Sequence, residues 1–100
     1  MEKKKAHYDL LAIVADVRKL RAAAFTKAAL DGGRRMGFTS AEMIDVVCSL
    51  SNKHLYKSMT TNADSRVWQD VYHAKTIWGV VYIKVTRRED GPPVIQFKEL

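Results

Sequence analysis

Hydrophobic residues in the first half of the chain recur with the period of an α-helix. Leu10, Ile13, Val14, Val17 and Leu20 fall at helical spacing and form one apolar stripe. A helix about three turns long is therefore predicted over this stretch.

Two further helices are predicted before residue 51. One starts after Thr26, although Gly32 and Gly33 weaken it, and Gly37 can end it in the left-handed conformation. The next starts at Thr39, which has capping-box spacing to Glu42. Its apolar stripe is typical of core packing and comprises Met43, Val46, Val47 and Leu50.

After Ser51 the hydrophobic period changes to two, which is typical of strands. Strands are predicted near 54–60, 67–73, 76–87 and 93–99, and their short connections require antiparallel pairing. Asp90–Gly91 predicts a tight hairpin turn with positive φ at both positions. The expected fold is α+β, with N-terminal helices packed on one face of a mainly antiparallel four-stranded sheet, in a single domain over residues 1–100.

Alternation along the strands predicts which side chains point away from the helices. Val81, Ile83 and Val85 belong to the covered face, so Tyr82 and Lys84 lie on the open one. In the first predicted strand Lys57 alternates with Tyr56 and Ser58, which are expected on the other face. Each strand thus sends one polar side chain to the open face, and these are Lys57, Gln69, Tyr82 and Lys98.

The net charge and the cysteine content indicate which cellular compartment and which class of partner suit this chain. The net charge of +6 suits an anionic partner such as nucleic acid, or it merely keeps the protein in solution. The single cysteine, Cys48, excludes an internal disulfide and a multi-cysteine zinc site and favours a reducing compartment. No segment approaches the roughly 20 apolar residues of a membrane span, so a soluble, cytoplasmic protein without a membrane partner is expected.

The open-face residues favour one kind of chemistry. Two lysines, an amide and a phenol, without a carboxylate pair or a histidine cage, do not suit hydrolysis by a bound metal. They do suit RNA cleavage by the RNA's own 2′-hydroxyl, where the protein stabilises charge on the phosphorane and moves protons. Neither a metal nor a cofactor is expected. A non-catalytic RNA- or DNA-binding module, or a chain that binds only other proteins, remains an alternative.

Several blocks of this sequence are specific enough to compare with known families. They are Tyr56-Lys-Ser-Met-Thr-Thr61, Trp68-Gln-Asp-Val-Tyr72, Val81-Tyr-Ile-Lys84 and Phe97-Lys-Glu99, together with the opening Met-Glu-Lys and His7. These blocks resemble the MqsR family of mRNA interferase toxins. The resemblance covers nearly the whole chain. His73 stands where an arginine is expected, and the Gly32–Arg35 and Arg87–Pro93 stretches differ from the family pattern.

The resemblance implies a RelE-type fold and a ribosome-independent endoribonuclease that cuts mRNA at GC-containing, GCU-like triplets. It also implies an MqsA-like antitoxin, with operator DNA bound only through the toxin–antitoxin complex. The family's active residues map onto Lys57, Gln69, Tyr82 and Lys98, the four that alternation places on one face. Met59, His73 and Lys84 are predicted to contact the substrate.

Overall fold

A computed structural model describes all 100 residues as an α+β fold. Its helices and strands are, in chain order, β1 (Glu2–Lys3), α1 (Leu10–Leu20), α2 (Lys27–Met36), α3 (Ser40–Cys48), β2 (Leu55–Thr60), β3 (Trp68–Thr76), β4 (Gly79–Thr86) and β5 (Val94–Glu99). Short 3-10 turns lie at Arg21–Ala24 and Asn52–His54. The predicted fold class is confirmed.

Local capping explains where two of the helices start. Asp9 caps α1 by accepting a hydrogen bond from the Leu11 amide at 3.0 Å. At α3 the Thr39 hydroxyl accepts from the Glu42 amide at 3.1 Å, and Glu42 accepts from the Thr39 amide at 2.8 Å. The predicted capping box is therefore confirmed.

The glycines of α2 have a packing reason that its sequence does not reveal. A Cβ atom at Gly33 would overlap the sulfur of Met43, which is fully buried in α3. Gly33 therefore lets α2 and α3 approach closely. Gly37 ends the helix with φ 114°, as predicted.

This packing gives opposite expectations for two adjacent glycines. Gly33→Ala is expected to lower the free energy of unfolding by about 1–3 kcal/mol, because Met43 must move within a packed core. Gly32→Ala is expected to raise it by up to about 1 kcal/mol, because alanine favours the helix. Its Cβ would meet only ordinary contacts, at 3.6 Å or more. Urea unfolding of both variants checks this, and equal effects at the two positions would contradict it.

The sheet has five antiparallel strands in the order β1-β2-β3-β4-β5, rather than the four predicted. The additional strand, β1, places Glu2 opposite Met59 and Lys3 opposite Ser58. Two residues are too few to show a hydrophobic period, which is why this strand was missed. Its presence brings the N-terminus to the open face.

The predicted tight turn at Asp90–Gly91 is wrong, although the hairpin between β4 and β5 exists. The connection spans residues 87–93, and Glu89 rather than Asp90 or Gly91 has a positive φ, of 50°. Pro92 and Pro93 follow the glycine. Because proline has no backbone N–H group, these residues cannot donate the hydrogen bonds that would continue the pairing of β4 and β5 towards the turn. The hairpin therefore closes through a longer loop.

All three helices contribute to one buried core against the sheet. It joins Ile13 and Val17 of α1 and Met43 of α3 to Ile83 of β4 and Phe97 of β5, each at most 2% exposed. Helix α2 lies along β5, where the Thr26 amide donates to the Ile95 carbonyl at 3.0 Å. The outer edge of the sheet is thus partly covered, while the face opposite the core stays open. The helices are all too short or too polar to cross a bilayer.

Candidate active site on the open face of the sheet

The strand register places the four predicted site residues on one face. Tyr82 lies directly between His73 of β3 and Lys98 of β5. Lys84 lies opposite Val71, which in turn lies opposite Lys57. Gln69 lies opposite Met59 and Thr86, in a third row of the same face.

Tyr82 is the centre of a compact cationic and aromatic cluster. The ammonium groups of Lys98 and Lys84 lie 5.4 Å and 5.6 Å from the centroid of its ring. The imidazole of His73 lies 5.7 Å from the same ring, centroid to centroid. Two positive charges beside one phenol provide an environment that attracts an anion and stabilises negative charge.

Tyr56 lies on the open face, and its predicted position on the covered face is wrong. The register shifts between Leu55 and Lys57, which marks a β-bulge with Tyr56 as the extra residue. Its ring stacks on His73 at 4.4 Å, with 14° between the planes, and remains 49% exposed. Alternation fails here because one inserted residue turns two neighbouring side chains to the same side.

The stacked rings of Tyr56 and His73 lie beside a shallow pocket. The pocket encloses about 440 Å³ and is lined by Tyr56, His73, Lys75 and residues before β2. The Nε2 atom of His73 is buried and has no hydrogen-bond partner within the protein. A buried nitrogen without a partner costs free energy, on the order of 1–3 kcal/mol.

Lys57 is held by a carboxylate from the N-terminal strand. Its ammonium group donates to Glu2 Oε1 at 2.6 Å. This hydrogen bond and charge raise the pKa of Lys57 above its ordinary value and lower the pKa of Glu2. A raised pKa keeps the lysine protonated through neutral pH, so Lys57 is suited to stabilising charge rather than to removing a proton.

Gln69 lies further from the cluster than the other three predicted residues. It is four positions from His73 along β3, about 13 Å at the rise of an extended strand. Its amide nitrogen lies 3.5 Å from the Thr86 hydroxyl. Gln69 and Met59 therefore lie in a different part of the open face from Tyr82 and Lys98.

Val71 forms the floor between these two regions. Val71 lies between Gln69 and His73 on the open face of β3 and does not belong to the core on the helix side. It is nevertheless fully buried. Its cross-strand neighbours are Lys57 and Lys84. Val71 thus offers an apolar surface on which the aliphatic parts of these two lysines can pack while their ammonium groups reach solvent.

A buried carboxylate of β3 supports the site from the face of the sheet opposite to the open one. Asp70, which is fully buried, accepts hydrogen bonds from the Ser58 hydroxyl at 2.6 Å and from the His7 and Tyr8 amides at 2.9–3.0 Å. It thereby ties the segment after β1 to the sheet. Since β1 carries Glu2, Asp70 also helps to set the position of the Glu2–Lys57 pair.

Tyr8 strengthens the same attachment. Its hydroxyl lies 2.7 Å from the carbonyl of Trp68 and 2.9 Å from that of Arg87, within hydrogen-bonding reach of both. Burial raises the pKa of Tyr8, so the phenol stays protonated and keeps donating.

Two residues of the open face were missed from the sequence, Glu2 and Tyr56. No local pattern identifies Glu2, because its partner is 55 positions away. Tyr56 could have been noticed as part of the Tyr-Lys-Ser-Met block, but only the bulge reveals its face. No group of three or more His, Cys, Asp or Glu side chains is arranged to hold a metal ion.

Fold and site together define a small basic α+β protein whose open sheet face carries a cluster of cationic and aromatic side chains. Residues 5–99 match the family model described as "Motility quorum-sensing regulator, toxin of MqsA". The mRNA interferase toxin MqsR of Escherichia coli strain K12 is 37% identical over an alignment of 102 positions, which covers 99% of each chain. The chain therefore belongs to the MqsR toxin family, and the predicted enzyme class, an endoribonuclease, is confirmed.

Proposed function

We propose that this toxin cleaves single-stranded mRNA at GC-containing, GCU-like sites, without a ribosome or a metal ion, by attack of the RNA's 2′-hydroxyl. The observation that carries the proposal is the cluster around Tyr82, with Lys98 and Lys84 beside its ring. Family membership supports RNA as the substrate, since the Escherichia coli relative is named an mRNA interferase. Cleavage of mRNA places the activity in the cytoplasm.

In the proposed reaction the 2′-oxygen bonds to the adjacent phosphorus while the bond from phosphorus to the 5′-oxygen breaks. The 2′-hydroxyl loses a proton and the leaving 5′-oxygen gains one. Lys57 and Lys98 stabilise the additional negative charge on the phosphorane, and Tyr82 moves a proton. Gln69 orients a part of the substrate that lies at a distance from the reacting phosphate.

The remaining predicted residues bind the RNA around this centre. The exposed ring of Tyr56, stacked on His73, offers a surface for a nucleobase. His73, where an arginine was expected, supports the Tyr56 ring by stacking on it. Lys84 contributes charge near Tyr82, and Met59 contacts a base near Gln69.

One assay tests the reaction class. The purified protein is incubated with a defined GCU-containing mRNA in excess EDTA, and the ends of the fragments are mapped. We expect full activity, with 2′,3′-cyclic phosphate and 5′-hydroxyl ends, because the nucleophile is part of the substrate. RNA that is bound but recovered intact would instead support a non-catalytic binding module, and a loss of cleavage in EDTA would indicate a metal-dependent reaction.

The family description supports an MqsA-like antitoxin as the physiological partner. We propose that operator DNA is bound only through the toxin–antitoxin complex. Co-expression of such an antitoxin should relieve growth arrest caused by this chain. An electrophoretic mobility shift on operator DNA should appear with the complex and not with the toxin alone.

A further inference from the structure

A cleft continues the open face beyond the edge of the sheet. It lies between α2 and β5 and encloses about 410 Å³, within the range of small-ligand sites. Gly32 and Arg35 line it from the helix, and Tyr82, Gln96 and Lys98 line it from the sheet. Since Tyr82 and Lys98 belong to both regions, the cleft opens directly beside the cluster described above.

The lining of this cleft is cationic and contains no carboxylate. Nine residues form it and none is acidic. The five ion pairs of the protein include neither Arg35 nor Lys98, so the charges of both side chains remain uncompensated by direct contact. The neighbouring Arg34, in contrast, lies 3.9 Å from Asp31 and 3.5 Å from the Ser40 hydroxyl.

Arg35 lies against the backbone of Gly32 at the cleft. A Cβ atom at Gly32 would lie 3.7 Å from Nη2 of Arg35 and 3.6 Å from the carbonyl oxygen of Phe97 in β5. The guanidinium therefore folds back over the glycine, on the side of the helix that faces β5.

We propose that this cleft is a second phosphate subsite, in which Arg35 binds a phosphodiester of the same RNA strand next to the scissile one. The inference rests on the proposed function and assigns the path of the substrate across β5. A guanidinium suits this role because it binds phosphate oxygens in a bidentate manner. Gln96 adds an exposed amide that can hydrogen-bond the same backbone or an adjacent base.

Binding is tested with a single-stranded RNA that carries one 2′-deoxynucleotide at the cleavage site, so that it cannot react. Arg35→Ala is expected to raise the dissociation constant about 10-fold, the effect of losing one charge-assisted contact. It should also lower the slope of log K against log salt by about 0.7, the value for one phosphate on a single strand. Arg35→Lys should keep the salt slope and lose part of the affinity, because the ammonium group cannot bind bidentately.

Arg34→Ala is the matched control, since it removes the same charge from the same helix outside the cleft. It should stay within about twofold of the wild type, because its charge is already paired and directed elsewhere. Equal weakening by the two variants would overturn the subsite and leave only a general effect of charge. Binding by Arg35→Ala that equals wild-type binding would overturn it as well.

Kinetics on cleavable RNA separate this subsite from the catalytic cluster. Arg35→Ala should raise KM about 10-fold while kcat stays within about twofold, as expected for a contact made equally before and during the reaction. Shortening the RNA nucleotide by nucleotide from the end that enters the cleft should abolish the difference between variant and wild type. A lower kcat in the variant, or a difference that persists for RNA shortened from either end, would refute the assignment. If the wild type cleaves no RNA, the proposed function fails, whereas the binding comparison still decides whether Arg35 contacts phosphate.

Discussion

Lys98→Ala is expected to lower the single-turnover rate of RNA cleavage about 100-fold or more at saturating RNA, while the domain stays folded. Lys98 lies directly opposite Tyr82, and its ammonium group is 5.4 Å from the ring. A fixed positive charge at this position stabilises the phosphorane more than the ground-state phosphodiester, because the phosphorane carries more negative charge. Lys57→Ala should have an effect of the same order.

The fold should tolerate both substitutions. Lys98 is exposed on an open sheet face, and the pair between Lys57 and Glu2 joins a partly exposed side chain to an exposed one. Surface pairs of this kind contribute at most about 1 kcal/mol. Thermal unfolding of each variant should therefore resemble that of the wild type, so that a lost rate reports on catalysis.

Lys19→Ala provides a control for the general loss of positive charge. Lys19 is exposed on α1, which packs against the opposite face of the sheet. Its removal should leave the single-turnover rate within about twofold of the wild type, because most of its interaction is screened at physiological salt. If Lys98→Ala cleaves RNA as fast as Lys19→Ala, the assignment of Lys98 to the reaction is wrong.

Asp70→Ala is expected to lower the free energy of unfolding by about 3 kcal/mol or more, a large share of what a domain of this size possesses. The Asp70 carboxylate accepts hydrogen bonds from a hydroxyl and two backbone amides. Alanine would leave these donors without their acceptor in a site closed to water, where each lost partner costs about 1–3 kcal/mol. The N-terminal segment that carries Glu2 should detach first.

Urea unfolding and amide hydrogen exchange measure these two effects. Exchange should accelerate most at His7 and Tyr8, whose amides donate directly to Asp70. Asp31→Ala is the matched control, since Asp31 forms only exposed pairs with Lys27 and Arg34 and should cost less than about 1 kcal/mol. Similar losses for Asp31→Ala and Asp70→Ala would show that the buried network contributes little.

In the two longest sequence blocks that resemble the family, buried structural residues alternate with residues that are proposed to act on RNA. In Tyr56–Thr61 and Trp68–Tyr72, Ser58 and Asp70 pair beneath the sheet, while Lys57 and Gln69 point to the open face. Tyr72 belongs to the buried set, and burial raises its pKa to about 12. Tyr72 packs in the core on the helix side, so it cannot reach a ligand on the open face, where Tyr82 is proposed to move a proton.

The sequence alone determined the three helices, four of the five strands and most of the open face. The stripe from Leu10 to Val17 is buried as predicted, and Thr39 and Glu42 form the predicted capping box. Such features are local, because helical and strand periods and capping partners fall within a few residues of one another. Alternation also put Tyr82 and Lys98 on the face away from the core, since a residue's side of a strand follows from its neighbours.

Only the tertiary structure decided how the remaining groups meet. One bulged residue turned Tyr56 to the open face, and a two-residue strand brought Glu2 to Lys57 from 55 positions away. The packing of α2 against β5 placed Arg35 beside Lys98. These arrangements form only when the whole core packs. Their free energy therefore comes from interactions between distant parts of the chain, and no short segment of the sequence predicts them.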